Sequence, residues 1–210
     1  MTACIAAFRA GEQPHIIQSF DAGAATIINA KGAVLPVEDL LSKHGVGFDK
    51  NNYISGVRSF YADNAGKMVG MPLNSSTPVM YYNKEAFKKA GLTLPPATWE
   101  DYEMRVAPAL KKAGYIGLAQ SHSPWIFSEN FHSRHNLPMA TNNNGFGGLE
   151  TQILYNNDAM ITHYSKLAEW QDKGYYKYFG RAWGDNQNAF VNQDVAIWLG
   201  SSGSFGGLKQ

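Results

Sequence analysis

The sequence predicts an α/β protein, and three features support that fold class. The chain has 210 residues, of which 44% are hydrophobic, which is enough for a buried core. Short apolar runs alternate with longer amphipathic segments, as strands and helices alternate in α/β folds. Several of the short runs lead directly into polar residues, and ligands collect beyond such strand ends in open α/β sheets.

The first third of the chain contains three predicted helices and two predicted strands. The helices are predicted at residues 1–11, 22–32 and 37–45. Residues 15–21 form a short apolar run that predicts a buried strand, and residues 67–74 predict a second strand. Asp21 ends the first strand, where it is suited to cap the following helix or to face a ligand.

A polar corner, NSST at residues 74–77, follows the second strand. Its amide and hydroxyl side chains bond readily to nearby backbone groups, and Pro78 disfavours helix at Thr77, so the corner is extended or turned. Residues 79–82 predict a short strand, and Asn83 is a good N-cap for the helix after it. Hydroxyl groups and free N–H groups side by side favour binding over catalysis.

The rest of the chain ends in a second corner of the same kind. Further helices are predicted at residues 98–114, 123–136 and 158–173 and just before residue 192, with a strand at residues 116–120. Trp125 lies in the first turn of the second of these helices. Residues 174–184 predict an aromatic, glycine-rich surface or cleft-lining loop, and residues 194–199 predict a strand that leads into GSSGS.

Charge and composition exclude several classes of protein. The net charge is +1, from 18 basic and 17 acidic residues, so binding to nucleic acid or to an anionic membrane surface has no electrostatic support. Cys4, the single cysteine, cannot form an internal disulfide. Because no apolar window reaches ~18 residues and residues 1–11 lack the parts of a signal peptide, we expect neither a membrane span nor an export signal in this chain.

Several segments together resemble the bacterial extracellular solute-binding proteins of ABC importers. YNKEAFKKAGL (residues 82–92) followed by PPATW (residues 95–99) is typical of the family as a whole. NSSTPV, NNGF and SSGS are most similar to the branch that binds sn-glycerol 3-phosphate in the periplasm. The resemblance extends from IAAFRAG, at residues 5–11, to the SSGS segment.

The resemblance implies a periplasmic-binding-protein-like fold of the two-lobe type II class, with the ligand in a cleft between the lobes. Residues 1–74 would be part of lobe one, residues 75–200 most of lobe two, and residues 201–210 the start of a segment that returns to lobe one. Because the resemblance begins well inside the usual mature sequence and stops at Gln210, we expect a fragment that is incomplete at both ends.

Five ligand-binding residues follow from the resemblance. Ser201 matches a phosphate contact of the family, and Ser76 matches another ligand contact. Trp125 matches a tryptophan whose face packs against the C–H edges of the bound glycerol unit. Asp21 lies where the branch usually has a glutamate that accepts hydrogen bonds from the glycerol hydroxyls. His122 lies where the branch usually has a second tryptophan.

Four of these residues also have an ordinary structural interpretation. Ser76, Ser201 and Asp21 are suited to capping turns or helices, and Trp125 to core packing. The two departures from the family pattern bear on specificity. The carboxylate of Asp21 is set back by about one methylene relative to glutamate, and the imidazole of His122 is smaller than an indole and can donate a hydrogen bond. A larger phosphodiester such as glycerophosphocholine, or a different polyol phosphate, is therefore a candidate ligand.

Two further patterns bear on catalysis. Glu129, His132 and His135 recur at helical spacing, but no further metal-ligand motif accompanies them, so we expect no metal and no cofactor. GSSGS lacks the Gly-x-Ser-x-Gly elbow, and no ordered Ser–His–Asp set is defensible from sequence, so nucleophilic catalysis has little support.

The sequence thus predicts the substrate-binding component of an ABC importer, with no enzymatic activity, that captures sn-glycerol 3-phosphate or a glycerophosphodiester by lobe closure. The expected partners are this small-molecule ligand and the membrane subunits of an ABC permease, but no nucleic acid. We expect a monomer in the periplasm or at the extracellular surface. The alternatives are a binding protein for an uncharged sugar or oligosaccharide and a hydrolase of phosphorylated polyols, which would need a metal cluster or an activated nucleophile.

Overall fold

The computed structural model describes residues 2–30 and 32–208, and for Thr2, Asp21 and Ala22 it describes only the backbone. These residues divide into two compact units. Unit one consists of the described residues up to Ser75 and the segment Ala140–Gln152. Unit two consists of Ser76–Met139 and the described residues from Ile153 onward.

The chain begins in unit one and returns to that unit once after entering unit two. In unit one the helices are α1 (Thr2–Arg9), α2 (Asp21–Ile28), α3 (Val37–Lys43) and α4 (Ser55–Phe60), with a 3₁₀ turn at Lys50–Asn52. Unit two begins with β1 (Pro78–Tyr82), α5 (Lys84–Lys89), α6 (Trp99–Asp101), a π-helical segment (Tyr102–Val106), α7 (Ala107–Lys112), β2 (Ile116–Gln120), a second π-helical segment (Pro124–Glu129) and α8 (Asn130–Arg134). After the short turn α9 (Thr141–Asn144) in unit one, unit two continues with α10 (Asp158–Asp172), α11 (Trp183–Val191), β3 (Val195–Ser201), a 3₁₀ turn (Ser202–Ser204) and α12 (Phe205–Leu208). None of the described helices has the length and hydropathy needed to cross a membrane.

Unit two contains a three-stranded sheet in the order β1-β3-β2. The central strand β3 pairs parallel to β2 and antiparallel to β1. Residues Val195 to Trp198 are buried, because helices cover both faces of the strand, and such strands have continuous apolar sequences. The three strands predicted in this part of the sequence are confirmed.

Side-chain caps fix the starts of two helices in unit two. The Asn83 side chain accepts hydrogen bonds from the backbone N–H groups of Glu85 and Ala86, at 2.9 and 3.0 Å. The Thr98 hydroxyl accepts one from Asp101 N–H at 3.1 Å. Both caps are confirmed as predicted, and each is worth about 1 kcal/mol to its helix.

The core of unit two lies between this sheet and the helices α5, α7 and α10. Tyr102 is 1% exposed, and its hydroxyl donates a short hydrogen bond to the carbonyl oxygen of Tyr175. Gly117 lies directly beneath, where an added Cβ would come within 2.7 Å of that same carbonyl oxygen, so no larger residue fits there. The other large side chains in this core cluster are Phe87, Leu110, Leu118, Ile126, Phe127, Leu167, Trp170, Tyr176 and Ile197.

Unit one has a much smaller core. Its buried hydrophobic residues within the described ranges are Ala24, Ala62, Met68, Val69 and Ala140. The strands predicted at residues 15–21 and 67–74 do not form, and Met68 makes only an isolated bridge with Ala62. In the described part of unit one no strand lies alongside to satisfy their backbone N–H and C=O groups, which an extended segment needs.

Apart from Ser75, which belongs to unit one, the units differ from the predicted lobes in two places. Ala140–Gln152 falls within the range predicted for lobe two but belongs to unit one, where Phe146 packs edge-to-face against Phe60 with ring centroids 5.4 Å apart. The described residues after position 200 belong to unit two, since β3 continues through Ser201. The correspondence of the two units with lobes of the family stays a prediction.

Candidate ligand-binding site

Strand pairing in unit two brings the two predicted polar corners together. Because β1 runs antiparallel to β3, the start of β1 lies beside the end of β3, and Pro78 pairs with Ser201. Two hydrogen bonds then join the corners: Ser202 N–H donates to the Thr77 carbonyl at 2.9 Å, and Thr77 N–H donates to the Ser202 hydroxyl at 3.2 Å. We call Ser76, Thr77, Ser201 and Ser202 the hydroxyl edge.

Ser201 performs the capping role that its sequence context allows. Its hydroxyl oxygen accepts a hydrogen bond from Gly203 N–H at 3.0 Å, which starts the 3₁₀ turn Ser202–Ser204. A hydroxyl can still donate its own hydrogen while it accepts, so capping leaves Ser201 able to bind an anion. Its backbone is fixed from below, since the Tyr81 hydroxyl donates to the Ser201 carbonyl at 2.8 Å. Ser76 is exposed.

His122 and Trp125 lie at the same end of the sheet. β2 and β3 are parallel and end at one edge, and His122 follows β2 by two residues. His122 is exposed and has a φ of 49°, a left-handed conformation that costs energy for a residue other than glycine and is enriched at functional sites. Its carbonyl oxygen accepts hydrogen bonds from Trp125 N–H at 3.0 Å and Ile126 N–H at 2.9 Å. The half-buried Trp125 therefore starts its π-helical segment in a fixed place.

Trp183 completes a row of aromatic rings that the sequence interpretation missed. Its ring centroid lies 5.3 Å from that of His122 and 6.4 Å from that of Trp125. The sequence predicts a loop over residues 174–184, but Trp183 is the first residue of α11. A sequence signal for Trp183 was available, because Ala-Trp-Gly stands just before an amphipathic stretch and so marks a helix start. The first turn of a helix that covers a sheet lies next to the ends of the strands.

A buried Trp198 supports this row from beneath. The Ser121 hydroxyl accepts a hydrogen bond from Trp198 Nε1 at 3.1 Å and donates to the Trp183 carbonyl at 3.1 Å. Trp198 also stacks on Tyr81, with ring centroids 5.3 Å apart and planes at 20°. Gly200 leaves room for it, because a Cβ there would come within 2.6 Å of the Trp198 ring. Trp198 thus supports both the aromatic row, to which Trp183 belongs, and the hydroxyl edge, whose Ser201 is bonded to Tyr81.

Asp21 belongs to unit one and is the first residue of α2, while its side chain lies outside the described part of the structure. The prediction that Asp21 is the N-cap is wrong. The cap position is Phe20, whose extended backbone precedes the helix and whose carbonyl accepts from Gly23 N–H at 2.9 Å.

The histidines considered as metal ligands bond to their own helix. His132 Nδ1 lies 2.8 Å from the Ser128 carbonyl oxygen, and His135 Nδ1 lies 2.8 Å from that of Phe131. A ring nitrogen that donates to a carbonyl carries the proton, so in each of these histidines only Nε2 is left as a possible metal ligand. Within the described ranges no group of three His, Cys, Asp or Glu residues is placed to hold a metal ion.

Comparison with known sequences gives matches along the whole chain. The family model for "Bacterial extracellular solute-binding protein" matches residues 1–210. The chain is 38% identical over 214 residues to the sn-glycerol-3-phosphate-binding periplasmic protein UgpB of Rhizobium meliloti (strain 1021) and 39% identical to UgpB of Escherichia coli (strain K12). All of the chain is covered, but it spans about half the length of these relatives, 49% and 48%.

Solved structures show the same fold. The GacH receptor of Streptomyces glaucescens superimposes with a TM-score of 0.79 at 18% identity, over 99% of this chain and 51% of that one. UgpB from Mycobacterium tuberculosis, in complex with glycerophosphocholine, gives a TM-score of 0.62 at 22% identity, over 84% and 44% of the two chains. The predicted periplasmic-binding-protein class is therefore confirmed, and the chain belongs to the bacterial extracellular solute-binding protein family.

Proposed function

We propose that this chain supplies part of the ligand site of an ABC-importer binding protein whose ligand is sn-glycerol 3-phosphate or a glycerophosphodiester. The observation that carries the proposal is the joining of two hydroxyl-rich corners beside an aromatic row at the carboxyl ends of β2 and β3. In open α/β sheets this edge is where ligands bind. The two relatives named UgpB, at 38% and 39% identity, favour a glycerol phosphate over other solutes.

In this proposal the hydroxyl edge binds the phosphate. Ser201 donates its hydroxyl hydrogen to a phosphate oxygen while its own oxygen stays bonded to Gly203 N–H. Ser76, one residue from the backbone bonds that join the corners, donates a second hydrogen bond. Hydrogen bonds to a charged acceptor contribute about 1.5–3 kcal/mol each, so two of them supply much of the affinity of a small anion.

The aromatic row binds the carbon skeleton. The faces of Trp125 and Trp183 suit the C–H edges of a glycerol unit, and the imidazole of His122 occupies less space than the indole usual in this branch. By the resemblance to the family, Asp21 is expected to accept hydrogen bonds from the glycerol hydroxyls. Because its carboxylate is shorter than glutamate, and because UgpB from Mycobacterium tuberculosis has been solved in complex with glycerophosphocholine, a phosphodiester is the favoured ligand.

Capture needs no covalent chemistry. A ligand that contacts both lobes at once stabilises their closed arrangement, and the permease subunits of the importer recognise that form. In this proposal the protein acts as a monomer, and the periplasmic relatives favour a location in the periplasm or at the extracellular surface. A hydrolase of phosphorylated polyols that depends on a metal is disfavoured, because the described residues offer no group of three His, Cys, Asp or Glu placed to hold a metal ion.

An uncharged sugar is the second candidate ligand, and the aromatic row favours it, since flat rings also pack against the C–H faces of sugars. Titration calorimetry of the protein expressed from its complete reading frame distinguishes the two. We expect heat with sn-glycerol 3-phosphate and glycerophosphocholine and none with maltose. Heat with maltose alone would overturn the phosphate assignment.

A single substitution tests the hydroxyl edge within the same experiment. Ser201→Ala should weaken the binding of sn-glycerol 3-phosphate about tenfold or more, since it removes a hydrogen bond to a charged group. Ser133→Ala, an exposed serine on α8, is the matched control and should change the affinity less than twofold. Equal affinities for the wild type and Ser201→Ala would remove Ser201 from the site.

A further inference from the structure

Two polar side chains are buried where β2 ends, directly before His122. Gln120 is 1% exposed and Ser121 is fully buried, whereas most of the buried residues in the described part of unit two are apolar. A buried polar group costs energy unless it is hydrogen-bonded, so the bonds that these two make indicate what they hold in place. The Ser121 N–H pairs with the Leu199 carbonyl at 3.2 Å, so strand-like pairing continues through it. Because successive residues of a strand face opposite sides of the sheet, the two side chains bond to different neighbours.

Gln120 holds the turn that carries His122. Its amide group donates a short hydrogen bond to the Ser123 hydroxyl, so this bond spans the turn from one side of His122 to the other. The amide oxygen of Gln120 accepts a hydrogen bond from the hydroxyl of the buried Tyr176 at 3.3 Å. A left-handed backbone such as that of His122 persists only where its surroundings determine it, and these two bonds do so from one face of the sheet.

Ser121 holds the neighbouring residue of the aromatic row, Trp183, from the other face of the sheet. Its hydroxyl donates to the Trp183 carbonyl at 3.1 Å and accepts from Trp198 Nε1, also at 3.1 Å. The first of these bonds ties the start of α11 to the end of β2. The Trp183 indole is bonded to the Gln187 side chain at 3.0 Å, but that bond lies within α11 and moves with the helix. The place of Trp183 beside β2 therefore depends on the Ser121 hydroxyl.

We propose that Ser121 is a positioning residue for the ligand, because its hydroxyl sets the gap between Trp183 and His122, whose ring centroids lie 5.3 Å apart. The proposal rests on the proposed function, in which the Trp183 ring packs against the carbon skeleton of the ligand. Ser121 is fully buried and acts through Trp183. Without the hydroxyl, the buried Trp198 Nε1–H loses its acceptor and the start of α11 loses its bond to β2, so Trp183 shifts away from its place beside His122.

Titration calorimetry of Ser121→Ala with sn-glycerol 3-phosphate, in the protein from its complete reading frame, tests the proposal. We expect the affinity to fall about fivefold, because the contact of the Trp183 ring with the ligand is weakened. Ser128→Ala is the matched control, since Ser128 is a buried serine of unit two whose hydroxyl lies 2.8 Å from that of Tyr164. Both variants lose buried hydrogen bonding and should unfold more easily, but Ser128→Ala should change the affinity less than about twofold.

A second measurement reads the position of Trp183 without any ligand. The proton NMR signals of the His122 ring, assigned as those missing in His122→Asn, are shifted by the nearby Trp183 indole and so report the gap between the two rings. Ser121→Ala should change these signals, and Ser128→Ala should leave them in place. Ser121→Cys keeps a side chain of similar shape with a weaker S–H group, so under reducing conditions it should give smaller changes in both the signals and the affinity.

The outcomes separate this proposal from the proposed function. Unchanged His122 signals in Ser121→Ala would overturn the positioning role. An affinity of Ser121→Ala equal to that of the wild type, or a similar loss in Ser128→Ala, would overturn it as well. Wild-type protein that does not bind sn-glycerol 3-phosphate would overturn the proposed function, and the His122 signals would still decide whether Ser121 sets the gap between the rings.

Discussion

Unit one and unit two contain similar strand signals, yet only unit two forms a sheet among the residues that the structure describes. In unit two, β3 has a hydrogen-bonded neighbour on each side. In unit one the apolar runs at residues 15–21 and 67–74 have no strand beside them within the described ranges, and Ile16 is 89% exposed. The comparison teaches that an apolar pattern marks residues able to form a strand, while a neighbouring strand decides whether the strand forms.

The largest expected effect contrasts the two cores. Trp198→Ala in unit two should lower the free energy of unfolding by about 3–5 kcal/mol, because it leaves a cavity under Tyr81 and Trp183. Ile16→Ala in unit one should change it by less than about 0.5 kcal/mol. Guanidinium unfolding, with hydrogen exchange read on peptides of each unit, measures both. Similar losses for the two variants would contradict the contrast.

The next effect is a pH dependence located in unit two. His163 is 9% exposed and stacks on Phe131, with ring centroids 4.2 Å apart. Burial lowers the pKa of His163 from 6.5 to about 4, and the neighbouring His135 contributes to the shift. The unfolded chain therefore binds this proton first on acidification, so stability should fall as the pH drops from 6.5 towards 4, by on the order of 3 kcal/mol.

His163→Phe tests that assignment, because it keeps an aromatic ring in the same place and removes the titrating group. Urea unfolding at several pH values between 7 and 4 should show a shallower decline for the variant than for the wild type. His44→Phe in unit one is the control and should retain the wild-type slope. Parallel curves for wild type and His163→Phe would show that another group is responsible.

The smallest effect concerns a surface network that joins the helices of unit two. Glu103 lies 3.1 Å from the ammonium groups of both Lys166 and Lys173, and the bond from Lys173 is the main cause that lowers the pKa of Glu103. Because these side chains are partly exposed, Glu103→Gln should cost less than about 1 kcal/mol, and the cost should shrink at high salt. Glu100→Gln on α6 is the control, and thermal melts at two salt concentrations compare them. An equal cost in both salt conditions would argue against an electrostatic origin.

The parts of the fold that the sequence predicts are those set by local chemistry. Asn83 and Thr98 identify two helix starts because a cap needs only its own side chain and the next three residues. Ile116–Gln120 is predicted with its observed bounds, since its side chains are nearly all apolar and a glycine lies just before it, at position 114. Residues 15–21 show the limit of this method, because an apolar run carries no information about the strand beside it.

The site shows the same division. Ser201 is predictable as a cap and His122 as a residue at a strand end, from their neighbours in the sequence. The contacts within the aromatic row are not predictable, even though a helix start at Trp183 is, because Trp183 and Trp125 are brought together by packing between α11 and the start of the second π-helical segment. Ala140–Gln152 belongs to unit one for a similar long-range reason, the contact between Phe146 and Phe60.

The most direct test of the central claim is a crystal structure of the protein, expressed from its complete reading frame, with sn-glycerol 3-phosphate. We expect the hydroxyl oxygens of Ser76 and Ser201 to lie about 2.5–3.0 Å from phosphate oxygens, with Trp125 against the glycerol carbons. A phosphate bound elsewhere, with both serine hydroxyls facing solvent, would contradict the account.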